Sequence, residues 1–141
     1  MTLLAVSRNG ENGYPELVIS GTRGYLQDTR YRLSYGRSAV VGRSRKCAIS
    51  LLRGKKYRAG ASGTCLRDAD FLRVSRRHLE ISYPHRDLIE IRDLSRNGIR
   101  VNGKKVNHVI LSELPRGACA IEFGGNEEIC LAWDGKREGK Q

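Results

Sequence analysis

The sequence predicts an all-β fold, a sandwich or a barrel of short strands. Apolar runs with period-two alternation recur along the chain and are separated by turn residues. Sixteen glycines stand against three prolines, a turn-rich balance that short strands need. No segment sustains a helical apolar period over three turns.

Leu17-Val18-Ile19 opens the pattern, with a Gly-rich turn expected at Gly21 to Gly24. Tyr31, Leu33 and Tyr35 alternate with Arg30, Arg32 and Ser34, which gives one apolar and one wet face. Ala39-Val40-Val41 stops at Gly42, and Ala48 to Leu52 is another short apolar run. Leu79, Ile81 and Tyr83 alternate with Glu80 and Ser82, then Ile89 and Ile91 with Glu90 and Arg92. Ile99 and Val101 flank Arg100 ahead of Asn102-Gly103, a pair that tolerates positive φ and marks a two-residue hairpin turn. Val106, Val109, Ile110 and Leu111 continue the pattern. Ile121 and Phe123 precede Gly124-Gly125, and Ile129, Leu131 and Trp133 close it. One domain over residues 16–133 is expected, after an N-terminal extension or first edge strand (1–15) and before a polar tail or linker (134–141).

Lys and Arg outnumber Asp and Glu 26 to 15, a net charge of +11. Eleven Lys or Arg and two acids fall between Arg43 and Arg77, so one stretch carries +9 of that charge. Such a balance favours an anionic partner: nucleic acid, an acidic membrane face or phosphorylated protein. Aromatic residues are 6% of the chain, and no strand interleaves Tyr or Phe on a basic face as nucleic-acid stacking platforms do. No stretch approaches the ~18 apolar residues of a membrane span, so no membrane partner is expected. Met1 to Ser7 lacks the basic start of a signal peptide.

The cysteines Cys47, Cys65, Cys119 and Cys130 form no C-x-x-C pair, which removes the spacing signal for zinc or redox chemistry. An intracellular, reducing compartment is expected, cytoplasmic or, in a eukaryote, nuclear. No metal and no cofactor is expected.

Residues 53–70 read as a long basic loop with Gly54, Gly60, Gly63, Lys55, Lys56, Arg58 and Ser62. Three readings of it stand side by side: a reader of acidic residues beside a bound site, a cap over ligand, or an insertion of no consequence.

Four small motifs follow in order: Gly42-Arg43-Ser44, Ser75-Arg76-Arg77-His78, Asn97-Gly98 and Asn102-Gly103. Ser75 and His78 do not make a nucleophile and base, because no acid orients the His and no oxyanion signature surrounds the Ser. No enzyme is expected. A phosphate dianion offers three acceptor oxygens. An Arg fork meets two of them at once, a hydroxyl adds a donor of different shape, and an Asn can clamp a peptide unit.

The ordered set, with Leu94-Ser95-Arg96-Asn97-Gly98, Val101-Asn102-Gly103 and Glu122-Phe123-Gly124-Gly125, resembles the forkhead-associated (FHA) domain from about Glu16 to Trp133. The resemblance implies a twisted antiparallel β-sandwich of about eleven strands whose loops at one end grip a phosphothreonine peptide. By position it implies that Arg43 pairs with the phosphate, Ser75 donates its hydroxyl and Asn97 bonds the peptide backbone. Arg76 falls where the family often adds a contact, and Arg73 is placed for the phosphate flank or the peptide. Gly42, His78, Gly98, Asn102 and Gly103 are implied as architecture.

Three positions depart from that pattern. Arg96 stands where strong phosphothreonine binders often carry Ser or Thr, and either supplies a charged fork or points to solvent. This leaves phosphothreonine against phosphoserine open. The 53–70 loop is longer than its family counterpart, and Ile99 replaces a usual Thr. The expected partner is a Ser/Thr-phosphorylated protein or peptide, with room for acidic flanking residues. The alternatives are a phosphate-independent interaction scaffold of the same fold and a nonspecific nucleic-acid binder acting through the basic loop.

Overall fold

The computed structural model describes residues 13–54, 69–112, 114 and 119–134. Residues 1–12 of the N-terminal extension, 55–68 of the basic loop (with Cys65) and 135–141 of the tail lie outside the described residues. Two sheets face each other as a sandwich. The six-stranded sheet runs in the order β2-β1-β11-β10-β7-β8. Its strands are β1 (Leu17–Arg23), β2 (Arg30–Leu33), β7 (Ile99–Val101), β8 (Lys104–Val106), β10 (Cys119–Phe123) and β11 (Glu127–Trp133). The five-stranded sheet runs β4-β3-β5-β6-β9. It comprises β3 (Ser38–Gly42), β4 (Ile49–Ser50), β5 (Leu79–His85), β6 (Leu88–Asp93) and β9 (His108–Leu111). Among the described residues no helix is long and apolar enough to cross a membrane.

Alternation drives this arrangement. In β5 Leu79, Ile81 and Tyr83 are fully buried while Glu80 and Ser82 are half-buried. Ile89 and Ile91 do the same in β6, and Leu17 and Ile19 in β1. Their side chains meet Ile121, Ile129 and Leu131 of the other sheet in one core. Each such side chain contributes roughly 1.5–3 kcal/mol on burial. The core is therefore built by strands spread over the whole chain.

Two local features differ from the expectation. The Gly21–Gly24 segment is not a turn: β1 runs on through Gly21 to Arg23, with a bulge after Gly21. Gly21 serves close packing, because a Cβ there would stand 1.7 Å from the Leu26 carbonyl oxygen. The chain turns only afterwards, in a short 3-10 segment at Gly24–Leu26, where the buried Glu127 carboxylate accepts the Tyr25 amide at 2.7 Å. Second, β3 and β4 pair in parallel, Val41 with Ile49 and Gly42 with Ser50, in an otherwise antiparallel set. The intervening loop folds back on itself, Cys47 N–H to Ser44 C=O at 3.0 Å, so β4 leaves in the direction of β3.

Strand register decides where the loops meet. Val41 pairs with Leu79, Leu79 with Asp93, Phe123 with Ile99 and with Glu127. In the five-stranded sheet the β3 end, the β5 start and the β6 end lie together, and in the six-stranded sheet the β7 start lies beside the β10–β11 turn. Side chains bridge the two groups, because the His78 ring, just before β5, lies 5.2 Å from that of Phe123 at the end of β10.

Candidate functional site

Gly42 ends β3 where the next loop crosses closest. A Cβ on it would stand 2.2 Å from the Arg76 carbonyl oxygen, so only glycine lets the two backbones touch. Once in contact they zip. Arg43 N–H donates to the Ser75 carbonyl at 3.0 Å, Ser44 N–H to that of Arg76 at 3.1 Å, and His78 N–H to that of Val41 at 2.8 Å.

The Arg43 side chain is half-buried, and its Nε donates to the Val74 carbonyl at 2.8 Å. That bond fixes the guanidinium while leaving its two terminal nitrogens without a partner among the described residues. Ser75 Oγ accepts the Arg96 amide at 3.3 Å, which leaves the hydroxyl proton to donate elsewhere. Asn97 Nδ2 donates to the Arg73 carbonyl at 3.1 Å, and its amide oxygen has no partner among the described residues.

His78 joins these loops. It has no solvent exposure. Its Nδ1 accepts the Ser75 N–H at 2.9 Å, so its proton sits on Nε2, which donates to the Gly98 carbonyl at 3.0 Å. Burial pushes its pKa below the usual 6.5, against the opposing pull of the Gly98 carbonyl and the Asp93 charge. A neutral imidazole with one acceptor and one donor is therefore the working state.

Several positioning residues were not singled out from the sequence. Ser95 Oγ accepts the Gly98 amide at 2.7 Å and donates to Asp93 Oδ1 at 2.5 Å, while the Ser95 amide donates to the same carboxylate at 2.9 Å. The spacing of Asp93, Ser95 and Gly98 is that of a side-chain-capped turn and could have been found from local chemistry alone. Arg53, expected to begin the loose basic loop, instead ties the β3–β4 loop together. Its guanidinium donates to the carbonyls of Arg45 at 3.1 Å and Ala48 at 3.1 Å, and also to that of Cys47.

Arg43, Arg73, Ser75, Arg76, Arg96 and Asn97 all line one open basin of about 560 Å³, with Leu72 and Arg77. Arg76 and Arg96 are exposed in it. Arg73 sits at its edge: its side chain pairs with Asp70 at 3.0 Å, across the short helix α1 (Ala69–Leu72), and lies over Gly125. Asn102 and Gly103 are elsewhere, at the β7–β8 hairpin, with φ of 50° and 85°. The Asn102 side chain accepts the Ala120 amide at 2.9 Å and so ties that hairpin to β10.

No curated protein matches the chain. Solved structures do. The FhaA FHA domain, in complex with the intracellular domain of Rv3910, is 26% identical, with 82% of this chain and 99% of that chain covered and a TM-score of 0.55. An FHA domain studied for its phosphothreonine-dependent interactions is 26% identical over 82% of this chain and 94% of that chain, again with a TM-score of 0.55. An FHA domain of an Arabidopsis thaliana hypothetical protein shares 22% identity over 84% of this chain and 86% of that chain, with a TM-score of 0.61. The sequence model of the FHA domain matches residues 39–124, which hold every residue of the basin, and the chain belongs to the FHA domain family.

Proposed function

We propose that the chain is a phosphopeptide-binding module that holds phosphothreonine-containing segments of partner proteins and performs no covalent chemistry on them. The observation that carries this reading is the anchored Arg43 guanidinium. One nitrogen is fixed on the Val74 carbonyl, and the other two have no partner among the described residues, in an arginine-lined basin that Ser75 also lines. Such a fork meets two phosphate oxygens, with little side-chain freedom left to lose on binding. Ser75 donates its hydroxyl to a third oxygen. Asn97 offers its free amide oxygen to a peptide N–H, while Arg76 and Arg96 add positive potential from the rim. The FHA domain described for phosphothreonine-dependent interactions supports the same ligand class. The free thiols of Cys47, Cys119 and Cys130 fit an intracellular site of action.

Removing one side of a charge-assisted pair costs about 1.5–3 kcal/mol. Arg43→Ala is therefore expected to lose roughly ten- to hundredfold in affinity for phosphothreonine peptides while keeping its thermal unfolding midpoint within a few degrees. A degenerate phosphothreonine library, with phosphoserine and unphosphorylated counterparts, measures this by fluorescence anisotropy. Unchanged affinity in the variant would remove the site. Binding that survives phosphatase treatment of the partner would favour the phosphate-independent scaffold.

A further inference from the structure

Strand β2 is the outermost strand of the six-stranded sheet and pairs with β1 on one side only. In an antiparallel pair alternate residues bond across, and the residues between them face the other way. The Gly21 N–H donates to the Thr29 carbonyl at 2.9 Å, on the β2 side of β1. On the β11 side the Glu16 carbonyl accepts the Asp134 N–H at 2.9 Å. Leu17 and Ile19 therefore bond to their register partners Leu33 and Tyr31. The N–H and C=O groups of Arg30 and Arg32 are left facing the free edge, without a partner among the described residues. The neighbouring edge of the other sheet is closed by contrast. There the Arg53 guanidinium takes the carbonyls of Cys47 and Ala48, just before β4.

Beside the free edge a groove of about 360 Å³ lies between β2 and the β3–β4 edge of the other sheet. Tyr31, Leu33, Ala48 and Ile49 give it an apolar lining, and among the described residues no acid lines it. It shares no residue with the Arg43 basin. Arg30 begins β2, and Arg37 lies in the loop that follows it. Both are exposed, and neither takes part in an ion pair among the described residues. Arg32, between them, is already held by Asp134 at 2.9 Å and Glu16 at 3.5 Å.

We propose that a partner protein adds an extended segment to the free edge of β2, one in which aliphatic residues alternate with acids. Its backbone pairs with the outward groups of Arg30 and Arg32. Its residues opposite Tyr31 and Leu33 face inwards and cover the groove, which calls for aliphatic side chains. Its residue opposite Arg30 lies on the outer face of the sheet, beside an unpaired cation, and is an acid. A second acid at the other end meets Arg37, while the position opposite the neutralised Arg32 takes an uncharged residue. A second copy of this chain fits poorly, because pairing β2 with β2 sets arginine against arginine. Residues 1–12 fit poorly too, since Glu11 is their single acid. The segment needs no phosphate, so the proposal stands apart from the reading of the Arg43 basin.

The test uses the full chain and a display library of unphosphorylated segments about eight residues long, random at every position. Enriched segments are expected to alternate aliphatic residues with acids, and their affinities are read by fluorescence anisotropy. Arg30→Glu and Arg37→Glu each weaken binding by at least about tenfold, while Arg43→Ala binds as the wild type does. Arg32→Pro spares the β1–β2 ladder, because the lost N–H faces outwards. It binds about three- to tenfold more weakly than Arg32→Ala, which lacks the same charge but keeps the N–H. In the wild type the peptide slows amide exchange, followed by NMR, at Arg30 and Arg32. No enrichment, enrichment without the alternation, or unchanged exchange at those two amides overturns the proposal. So does a loss of binding in Arg43→Ala, which would put the peptides in the basin. Protection of the Arg32 amide in the free chain at high concentration alone would make a second copy the occupant. Protection that disappears only when residues 1–12 are removed would make that segment the occupant. Either result overturns the partner, and none of them touches the phosphopeptide reading.

Discussion

The His78 ring is closed to solvent, yet both of its nitrogens are satisfied by backbone groups from two different loops. A second proton on Nδ1 would face the Ser75 N–H instead of accepting from it. Acid would therefore act on the loop from Ser75 to His78 through this side chain. The folded pKa lies below the usual 6.5. Above 6.5 both folded and unfolded chains hold a neutral His78, and its contribution to stability is complete. As pH falls through 6.5 towards the lower folded value, the unfolded chain gains a proton that the folded chain does not, so stability falls. Chemical denaturation between pH 7.5 and 5.5 is expected to show this loss, and His78→Gln to show a shallower slope. Equal slopes would mean that His78 is not the group responsible. Ser75-x-x-His78 was legible in the sequence as a spacing. Its tautomer was not, because the acceptor on one side, the Gly98 carbonyl, lies twenty positions along the chain and is reached only once that chain folds back.

Strands were the most legible elements, since alternation needs only neighbours: β5, β6 and β11 follow directly from their apolar positions. The β7–β8 hairpin was legible too, because a two-residue Asn102-Gly103 turn sets Val101 opposite Lys104 and Arg100 opposite Lys105. The Gly21–Gly24 misreading has its cause just downstream: Gly21 is needed for the approach of the Leu26 carbonyl as the chain folds back, not for a turn at Gly21 itself. Arg53 was hidden for a related reason. Inside a run of basic residues it reads as one more solvated charge, and its role exists only once the β3–β4 loop has turned its carbonyls towards it. Arg53→Ala should free that loop, raising hydrogen exchange at Arg45 to Ala48 and lowering stability by about 1–2 kcal/mol. Arg53→Lys should restore little of this, since a point-charge ammonium cannot serve several carbonyls from one planar fork. Full rescue by lysine would show that charge alone mattered.

At the scale of the molecule, the excess of 26 basic over 15 acidic residues is not spread evenly, and the folded chain concentrates it further. Arginines 43, 73, 76, 77 and 96 come from three separate stretches, yet all line one basin. Asp70, beside them, is already paired with Arg73. The composition showed that a cationic region existed, and the ordered motifs showed which residues belong to it. Their convergence depends on the register of both sheets. On the proposed reading a field of this kind would act mainly on encounter, drawing a dianionic peptide in from beyond contact range, while short-range bonds at Arg43 and Ser75 would govern release. The two contributions separate in salt. Raising ionic strength from about 50 to 500 mM shortens the screening length from roughly 14 Å to 4 Å. Stopped-flow measurements are then expected to show association slowing at least tenfold and dissociation changing by less than about threefold. Arg77→Ala, at an exposed residue of the basin, should lower the association rate and flatten its salt dependence with little change in dissociation. Arg43→Ala should chiefly raise the dissociation rate. If salt acted mainly on dissociation, the phosphate would be held by loose, solvated charges, and the anchored geometry of Arg43 would not be what retains the ligand.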